Sequence, residues 1–260
     1  MELPIKLIST DFDGTIFAEF ETPPIPPALM ELIGSLQAQG AKWVINTGRD
    51  MTSLVETLGR AHVHAQPDFL VLVEREIYER QGGRYVSLKH WNDACTSAHA
   101  ELFRRVRPDV PGLEAWISAR FEATVVEDIY SPLCIIASNN GEMDEIHARL
   151  EDYARGISQL TIVRNDVYAR LSHANFNKGT ALAEITRLMG LNRDQVFVAG
   201  DHLNDLPMLS PAFAAFIAAP ANAVPAVAQA VKAVGGFQSH LPQGHGVRNA
   251  LLHFLGDAAA

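Results

Sequence analysis

The chain has 260 residues, 48% of them hydrophobic and 20% charged, and a formal net charge of −9. This composition is that of a folded globular protein and excludes a disordered or fibrous one. The acidic balance argues against nucleic acid as the main partner, because phosphate backbones are bound by basic surfaces.

The sequence shows little sign of secretion or membrane insertion. Its two cysteines, Cys95 and Cys134, are too few for a disulfide framework and lack the spacing of a metal site, so we expect a reducing, cytoplasmic location. The N-terminal region has no long apolar segment of the signal-peptide type. The Ala-rich stretch 211–231 is interrupted by three prolines, which predicts strand, loop and short helix rather than a membrane span.

Strand and helix patterns alternate at both ends of the chain. Towards the N-terminus we predict strands at 5–10, 42–46 and 69–74 and helices around 29–36 and 51–60. Towards the C-terminus we predict a helix around 177–189, strands at 195–199, 213–218 and 231–234, and a final helix at 247–255. Because the strands are apolar and alternate with helices, they predict an α/β fold with a Rossmann-like, doubly wound parallel sheet covered on both faces.

The middle of the chain follows a different pattern. A helix candidate at 91–106 precedes two β-rich runs at 123–130 and 133–138, and a helix at 142–155 precedes short strands at 160–164 and 167–171. Strands that arrive in pairs predict an inserted α+β domain. We therefore assign residues 1–83 and 174–260 to one domain and residues 84–173 to a second, inserted domain.

Asp11-Phe12-Asp13-Gly14-Thr15 follows the first apolar strand directly. Residues i and i+2 of an extended backbone point the same way, so both carboxylates leave the strand on one side. Two such charges about 6 Å apart repel by roughly 3 kcal/mol at an effective dielectric near 20. A fold tolerates this repulsion when a cation lies between the charges or one carboxyl holds a proton. By itself the pattern also fits an ordinary turn, since Gly14 permits a sharp one.

Three more polar stretches are predicted at the same edge of the sheet. Thr47-Gly48-Arg49 and Gly200-Asp201-His202-Leu203-Asn204-Asp205 each follow an apolar strand, and Asn177-Lys178-Gly179 opens a helix. Parallel α/β sheets bind ligands at the carboxyl ends of their strands. The sequence therefore predicts one polar site at this edge, with a second acidic cluster beside Asp11 and Asp13.

The four stretches together resemble the motifs of the haloacid dehalogenase superfamily, which are DxDGT, a Ser or Thr after the second strand, a Lys, and GDxxND. About 130 residues separate Thr47 from Lys178, far more than one strand and one helix need, whereas only a short loop follows Asp13. This insertion is similar to the superfamily's second cap type. Its pattern is closest to type B, subclass IIB, which includes Cof-type sugar phosphatases and sucrose-phosphate phosphatases. After the third strand, Glu74-Arg75-Glu76 stands where the Cof-type pattern has Asn-Gly.

The resemblance implies a role for each motif residue. Asp11 would be the nucleophile that takes the phosphoryl group as an aspartyl-phosphate, and Asp13 the general acid and base. Thr47 and Lys178 would hold the phosphoryl oxygens. The further implied roles are Mg²⁺ binding by Asp11, Asp201, Asp205 and the backbone carbonyl of Asp13, and support of the phosphate and metal by Gly14, Gly48 and Asn204.

Other polar residues are weaker candidates. We expect Arg49 to be a structural salt-bridge partner, and we expect His62 and His64 to be solvated, because no third metal ligand accompanies them. In the inserted domain, four side chains could meet a polar leaving group, although each is more simply interpreted as a surface residue: Lys89, His90, Arg170 and His173.

We interpret the chain as a cytoplasmic, Mg²⁺-dependent phosphomonoesterase, with the inserted domain as its cap. Its substrate would be a small phosphorylated metabolite, most simply a sugar phosphate. One alternative is a phosphotransferase or phosphomutase that uses the same aspartyl-phosphate, and another is a regulatory binding module with a retired site. The phosphomonoesterase would release free phosphate, the phosphomutase would form an isomer of its substrate, and the binding module would show no turnover.

Overall fold

The computed structural model describes residues 3–61, 63 and 65–256, so the expectation for His62 and His64 lies outside the described residues. The chain forms two compact units. Met1–Leu88 and Lys178–Ala260 form the first, which we call the sheet unit, and Lys89–Asn177 forms the second, the inserted unit. Both boundaries between the two units fall a few residues later in the chain than the boundaries predicted from the sequence.

The regular elements are numbered in chain order. The strands are β1 (Leu7–Thr10), β2 (Lys42–Asn46), β3 (Phe69–Leu72), β4 (Glu76–Gln81), β5 (Arg84–Ser87), β6 (Thr124–Val126), β7 (Cys134–Ile136), β8 (Leu160–Asn165), β9 (Tyr168–His173), β10 (Val196–Ala199), β11 (Phe216–Ala219) and β12 (Phe237–Gln238). The α-helices are α1 (Pro27–Ala38), α2 (Met51–Arg60), α3 (Lys89–Val106), α4 (Val110–Ser118), α5 (Asn140–Arg155), α6 (Lys178–Leu188), α7 (Pro225–Ala233) and α8 (Gln243–Leu255).

The sheet unit contains an eight-stranded sheet in the order β12-β11-β10-β1-β2-β3-β4-β5. The first six strands in this order pair in parallel, and β4 and β5 complete the sheet in antiparallel pairing. Every residue of β1, β3 and β10 is buried, as expected of parallel strands that are covered on both faces. The predicted α/β fold with a doubly wound parallel sheet is confirmed.

The hairpin of β4 and β5 explains why the first boundary between the units, after Leu88, comes later than predicted. Gln81 pairs with Arg84, and Gly82 and Gly83 between them have φ of 55° and 84°. A two-residue turn with two left-handed residues joins antiparallel strands tightly, and glycine adopts this conformation without strain. The predicted boundary at residue 84 cuts this hairpin, and the Gly-Gly pair is the sequence feature that marks the turn.

Two helices also differ from the sequence-based expectations. The strand predicted at 231–234 is wrong, because Val227 and Val231 are buried at helical spacing on α7, which begins at Pro225. Helix α4 was not predicted, although Leu113 and Ile117 show the same spacing and are buried. In both places a short apolar segment of ambiguous pattern became a helix, and proline stands at its first turn.

The inserted unit is an α+β structure with its own core. Its four strands form an antiparallel sheet in the order β6-β7-β9-β8. The buried residues of this core include Leu102, Leu113, Ile135, Ile146 and Leu171, which come from helices α3, α4 and α5 and from the sheet.

Three neighbouring parallel strands position the polar stretches of the sheet unit. Asp11 directly follows β1, Thr47 follows β2, and Gly200-Asp201 follows β10, so all three lie at the carboxyl edge of the sheet. None of the helices among the described residues is long and apolar enough to cross a membrane.

Candidate active site

The centre of the site is a buried ammonium group between two carboxylates. Lys178 opens helix α6 and its side chain is fully buried. Its Nζ donates to Oδ1 of Asp11 at 2.6 Å and to Oδ1 of Asp205 at 2.5 Å. Asn46, at the end of β2, donates from Nδ2 to the backbone carbonyl of Lys178 at 3.0 Å and so holds the first turn of the helix in place.

Asp201 joins these carboxylates at the end of β10. One carboxylate oxygen from each of Asp11, Asp201 and Asp205 lies within 4.8 Å of the other two. Thr15 donates from Oγ1 to Oδ1 of Asp201 at 2.6 Å, and the backbone N–H of Asp201 donates to Oδ2 of Asp205 at 2.8 Å. The cluster is therefore held rigidly from two loops, as a cation site requires.

The cluster has more negative charge than its one lysine can balance. Burial and the neighbouring Asp205 raise the pKa of Asp11 well above its ordinary value. The same two causes raise the pKa of Asp201 to about 7. Burial alone would lower the pKa of Lys178, but attraction to Asp11, Asp205 and Glu74 outweighs it and raises that pKa. A divalent cation held by Asp11, Asp201 and Asp205 would offset this excess of negative charge.

Asp13 is set apart from the cluster. Arg49 donates to both of its carboxylate oxygens, from Nε at 2.7 Å and from Nη2 at 2.6 Å. The guanidinium is itself fixed by hydrogen bonds to Ser53 and Thr57 on α2. The side chain of Asp13 is 40% exposed, compared with 7% for Asp11. Arg49 is thus the salt-bridge partner that we expected, and the metal role predicted for the backbone carbonyl of Asp13 stays a prediction.

The loop after β1 turns tightly over the cluster. Gly14 has φ of +75°, and a Cβ at this position would lie 2.5 Å from Oδ2 of Asp201. Its carbonyl accepts a hydrogen bond from Nδ2 of Asn222 at 2.8 Å. Only glycine combines this conformation with this close approach. Thr47 is buried and accepts at Oγ1 from the backbone N–H of Arg49 at 3.2 Å.

Glu74 is a site residue to which the sequence interpretation gave no role. It follows β3 at the same edge of the sheet, is buried, and accepts at Oε1 from Nδ2 of Asn204 at 3.1 Å. Its Oε2 lies 3.9 Å from Nζ of Lys178. The available signal was its position, because an acidic residue at a strand end repeats the pattern of Asp11 and Asp201.

The four candidates in the inserted unit separate into two pairs. Lys89 and His90 are exposed, and Lys89 forms an ion pair with Asp93. Arg170 and His173 are only 3% and 8% exposed, so their interpretation as surface residues is wrong. The His173 ring packs against Phe176, also in the inserted unit. Both residues lie on β9, which is buried between neighbouring strands, and a single sequence does not reveal that central position.

Comparison with known proteins identifies the family. A family model described as haloacid dehalogenase-like hydrolase matches residues 118–250. The Bacillus subtilis protein named Putative phosphatase YxeH is 22% identical over 95% of this chain and 97% of its own length.

Solved structures share the fold. The sucrose-phosphatase of Synechocystis, solved with sucrose and phosphate, matches with a TM-score of 0.73 and 20% identity over 97% of this chain and 98% of its own. A haloacid dehalogenase-like hydrolase from Bacteroides thetaiotaomicron matches with a TM-score of 0.65 and 18% identity over 96% and 99%. The resemblance drawn from the four motifs, including subclass IIB, is confirmed. The chain belongs to the haloacid dehalogenase-like hydrolases.

Proposed function

We propose that this hydrolase is a Mg²⁺-dependent phosphomonoesterase that acts through an aspartyl-phosphate on Asp11. The observation that carries the proposal is the buried contact of Asp11 with Lys178 beside Asp201 and Asp205, at the carboxyl edge of the sheet. A phosphoryl group is an anion, so a lysine with three carboxylates alone would repel it. The donor set makes sense when a divalent cation is added.

The residues present fit Mg²⁺. Asp11, Asp201 and Asp205 offer oxygen ligands in a compact group, and Oδ1 of Asn204 is a buried acceptor with no hydrogen-bond partner among the described residues. Mg²⁺ prefers few carboxylates together with water and phosphate oxygens. When bound, it would neutralise carboxylate charge and attract the phosphate of the substrate.

The two carboxylates of the first motif suit separate duties. Asp11 is buried, and its Oδ1 is already fixed by Lys178, so its other oxygen is free to attack phosphorus. As the bond between phosphorus and the leaving oxygen breaks, Asp13 gives that oxygen a proton, and Asp13 then takes a proton from the water that cleaves the aspartyl-phosphate. Both oxygens of Asp13 accept from Arg49, so Asp13 must release one of these contacts before it protonates the leaving group.

We propose a small phosphorylated metabolite, and among these a sugar phosphate, because the fold matches a sucrose-phosphatase over nearly the whole chain. We assign the choice of leaving group to the inserted unit. The net charge of −9 and the two buried free cysteines fit a cytoplasmic enzyme that does not act on nucleic acid.

The assignment of Asp11 is tested by Asp11→Asn, with p-nitrophenyl phosphate and Mg²⁺ as the assay. We expect turnover to be abolished and the protein to stay folded by its melting temperature Tm, because asparagine keeps the shape of the side chain and an oxygen that can accept from Lys178, and Asp205 still pairs with the ammonium. Asp50→Asn is the matched control, since Asp50 caps α2 through the backbone N–H of Ser53 and asparagine also caps helices well. Turnover by Asp11→Asn at the parent rate would contradict the assignment.

A second measurement distinguishes a hydrolase from a phosphomutase. With a hexose phosphate as substrate, a hydrolase releases free phosphate, whereas a phosphomutase forms an isomer.

A further inference from the structure

The turn after β3 carries two consecutive residues in the left-handed region. Val73 has φ of 50° and Glu74 has φ of 70°. This conformation is unfavourable for residues other than glycine and asparagine, and it is rare for a β-branched residue such as Val73. Such strain persists only where the surroundings enforce it, and it is concentrated at functional sites.

Backbone contacts to the loop after β2 enforce this conformation. The N–H of Val73 donates to the carbonyl of Arg49, and the N–H of Glu74 donates to the carbonyl of Thr47, both at 3.0 Å. The turn is therefore tied to the two residues that flank Gly48. A Cβ on Gly48 would lie 2.6 Å from Oε1 of Glu74, so glycine at this position leaves room for the carboxylate.

The carboxylate of Glu74 faces the site and not the solvent. The residue is 4% exposed, its Oε1 accepts from Nδ2 of Asn204 at 3.1 Å, and its Oε2 is 3.9 Å from Nζ of Lys178. It also helps to raise the pKa of Lys178. Burial of a carboxylate in a cluster that already holds three others is costly, so a purely structural reason for this side chain is weak.

The chemistry of the contact fixes the orientation of Asn204. The amide NH₂ of Asn204 faces Glu74 and donates to its Oε1, which is the arrangement that an accepting carboxylate oxygen favours. The amide oxygen is then directed away from Glu74, and it is buried without a hydrogen-bond partner among the described residues. Asn204 lies on the same short turn as Asp205, which is part of the acidic cluster.

We propose that Glu74 is a positioning residue for the cation site. It holds the amide of Asn204 so that Oδ1 is offered as an acceptor to Mg²⁺ or to its hydration water, and it draws the ammonium of Lys178 into the cluster. The proposal rests on the Mg²⁺-dependent function proposed above. It assigns the strained turn after β3 to the metal site, where the sequence resemblance assigned nothing.

The test is titration calorimetry of the full-length protein with Mg²⁺, supported by turnover of p-nitrophenyl phosphate as a function of Mg²⁺ concentration. We expect Glu74→Gly to weaken Mg²⁺ binding by about 10- to 100-fold, the usual effect of losing an outer-shell partner. Saturating Mg²⁺ should restore part of the lost turnover. Glu74→Gln keeps an acceptor but can also present its NH₂ group, so its affinity should lie between those of Glu74→Gly and the parent.

Gln159→Gly is the matched control. Gln159 has φ of 71° and is exposed in the inserted unit, so the variant makes the same backbone change outside the sheet unit that holds Glu74. It should bind Mg²⁺ as the parent does. Tm values show whether each variant is folded, and the Gln variant keeps the test informative if the Gly variant is not.

The outcomes separate the two proposals. If Glu74→Gly and Glu74→Gln bind Mg²⁺ as tightly as the parent and reach half-maximal turnover at the same Mg²⁺ concentration, the role of Glu74 is refuted while the proposed function stands. If the parent binds Mg²⁺ but releases no phosphate from any ester, the proposed function fails, and the calorimetric comparison still decides the role of Glu74.

Discussion

Replacement of Lys178 by methionine should destabilise the protein strongly and in a pH-dependent way. The ammonium lies 2.6 Å from Asp11 and 2.5 Å from Asp205, so the Coulomb attraction of each pair, before the cost of burying the charges, is roughly 6 kcal/mol at an effective dielectric near 20. Without it, carboxylates whose oxygens lie within 4.8 Å of one another repel by roughly 3 kcal/mol or more for each pair. Protonation of the carboxyls limits the net effect, so we expect a loss of about 3–5 kcal/mol in the free energy of unfolding at pH 8.

The sign of the pH dependence follows from the carboxyl groups. Burial and Asp205 already raise the pKa of Asp11, and loss of Lys178 raises it further. The folded variant then holds protons that the unfolded chain has released, so its stability falls as the pH rises from about 5 to 8. The difference between variant and parent should therefore be smaller at pH 5 than at pH 8.

Urea denaturation of the metal-free proteins at both pH values measures this difference. Lys42→Met is the matched control, because Lys42 forms an ion pair with Asp68 at 3.0 Å but is 47% exposed. Exposed pairs contribute about 0–1 kcal/mol. If the two variants lose similar free energies of unfolding, or if Lys178→Met loses as much at pH 5 as at pH 8, the account of a buried ammonium that neutralises the cluster is wrong.

Two further predictions concern the metal cluster and the loop above it. Burial and Asp205 raise the pKa of Asp201 to about 7. The stability of the metal-free fold therefore falls as the pH rises from about 4 to 7, because the folded state holds a proton that the unfolded chain releases. Mg²⁺ binding is favoured once Asp201 has lost this proton. Mg²⁺ should therefore raise Tm more at pH 8 than at pH 5 in a thermal-shift assay; an equal rise at both would contradict the assigned ligands. Gly14→Ala should lower Tm and weaken Mg²⁺ binding in calorimetry, because its Cβ would lie 2.5 Å from Asp201 and its φ of +75° costs an alanine about 1–2 kcal/mol. The control is Gly190→Ala, which has φ of +64° and open space around its Cβ, and which should lower Tm without changing Mg²⁺ affinity.

The regular part of the fold was predictable from local patterns. Strand β2 and helix α2 have the predicted bounds, because apolar runs and helical spacing are properties of neighbouring residues. Errors arose where short apolar segments fit two patterns, as at Val231 on α7, and where a turn signal was missed, as in the hairpin of β4 and β5. In such segments, packing against the rest of the sheet unit decides the structure.

Apart from Glu74, the residues of the site were predictable from the sequence, but the hydrogen bonds and ion pairs among them were not. The sequence indicates that Asp11, Asp201 and Lys178 meet at one sheet edge, because the ends of neighbouring parallel strands always do. It does not indicate that Lys178 binds Asp11 and Asp205 at once, or that Arg49 takes both oxygens of Asp13. Those choices depend on side-chain directions that only the packed chain fixes.

The sequence by itself determined the family, the alternation of strands and helices at the two ends of the chain and the chemistry offered at the carboxyl edge, since motif residues and apolar periodicity are properties of neighbouring residues. Only the tertiary structure decided how the charges are shared among partners and which residues are buried. Glu74 is the clearest case. In the sequence, Glu74 is only a departure from the family pattern. In the structure, a strained turn that is hydrogen-bonded to Thr47 and Arg49 holds this residue. The turn directs the Glu74 carboxylate to Asn204 and Lys178. Contacts between residues 130 positions apart are set by the whole fold and by no local rule.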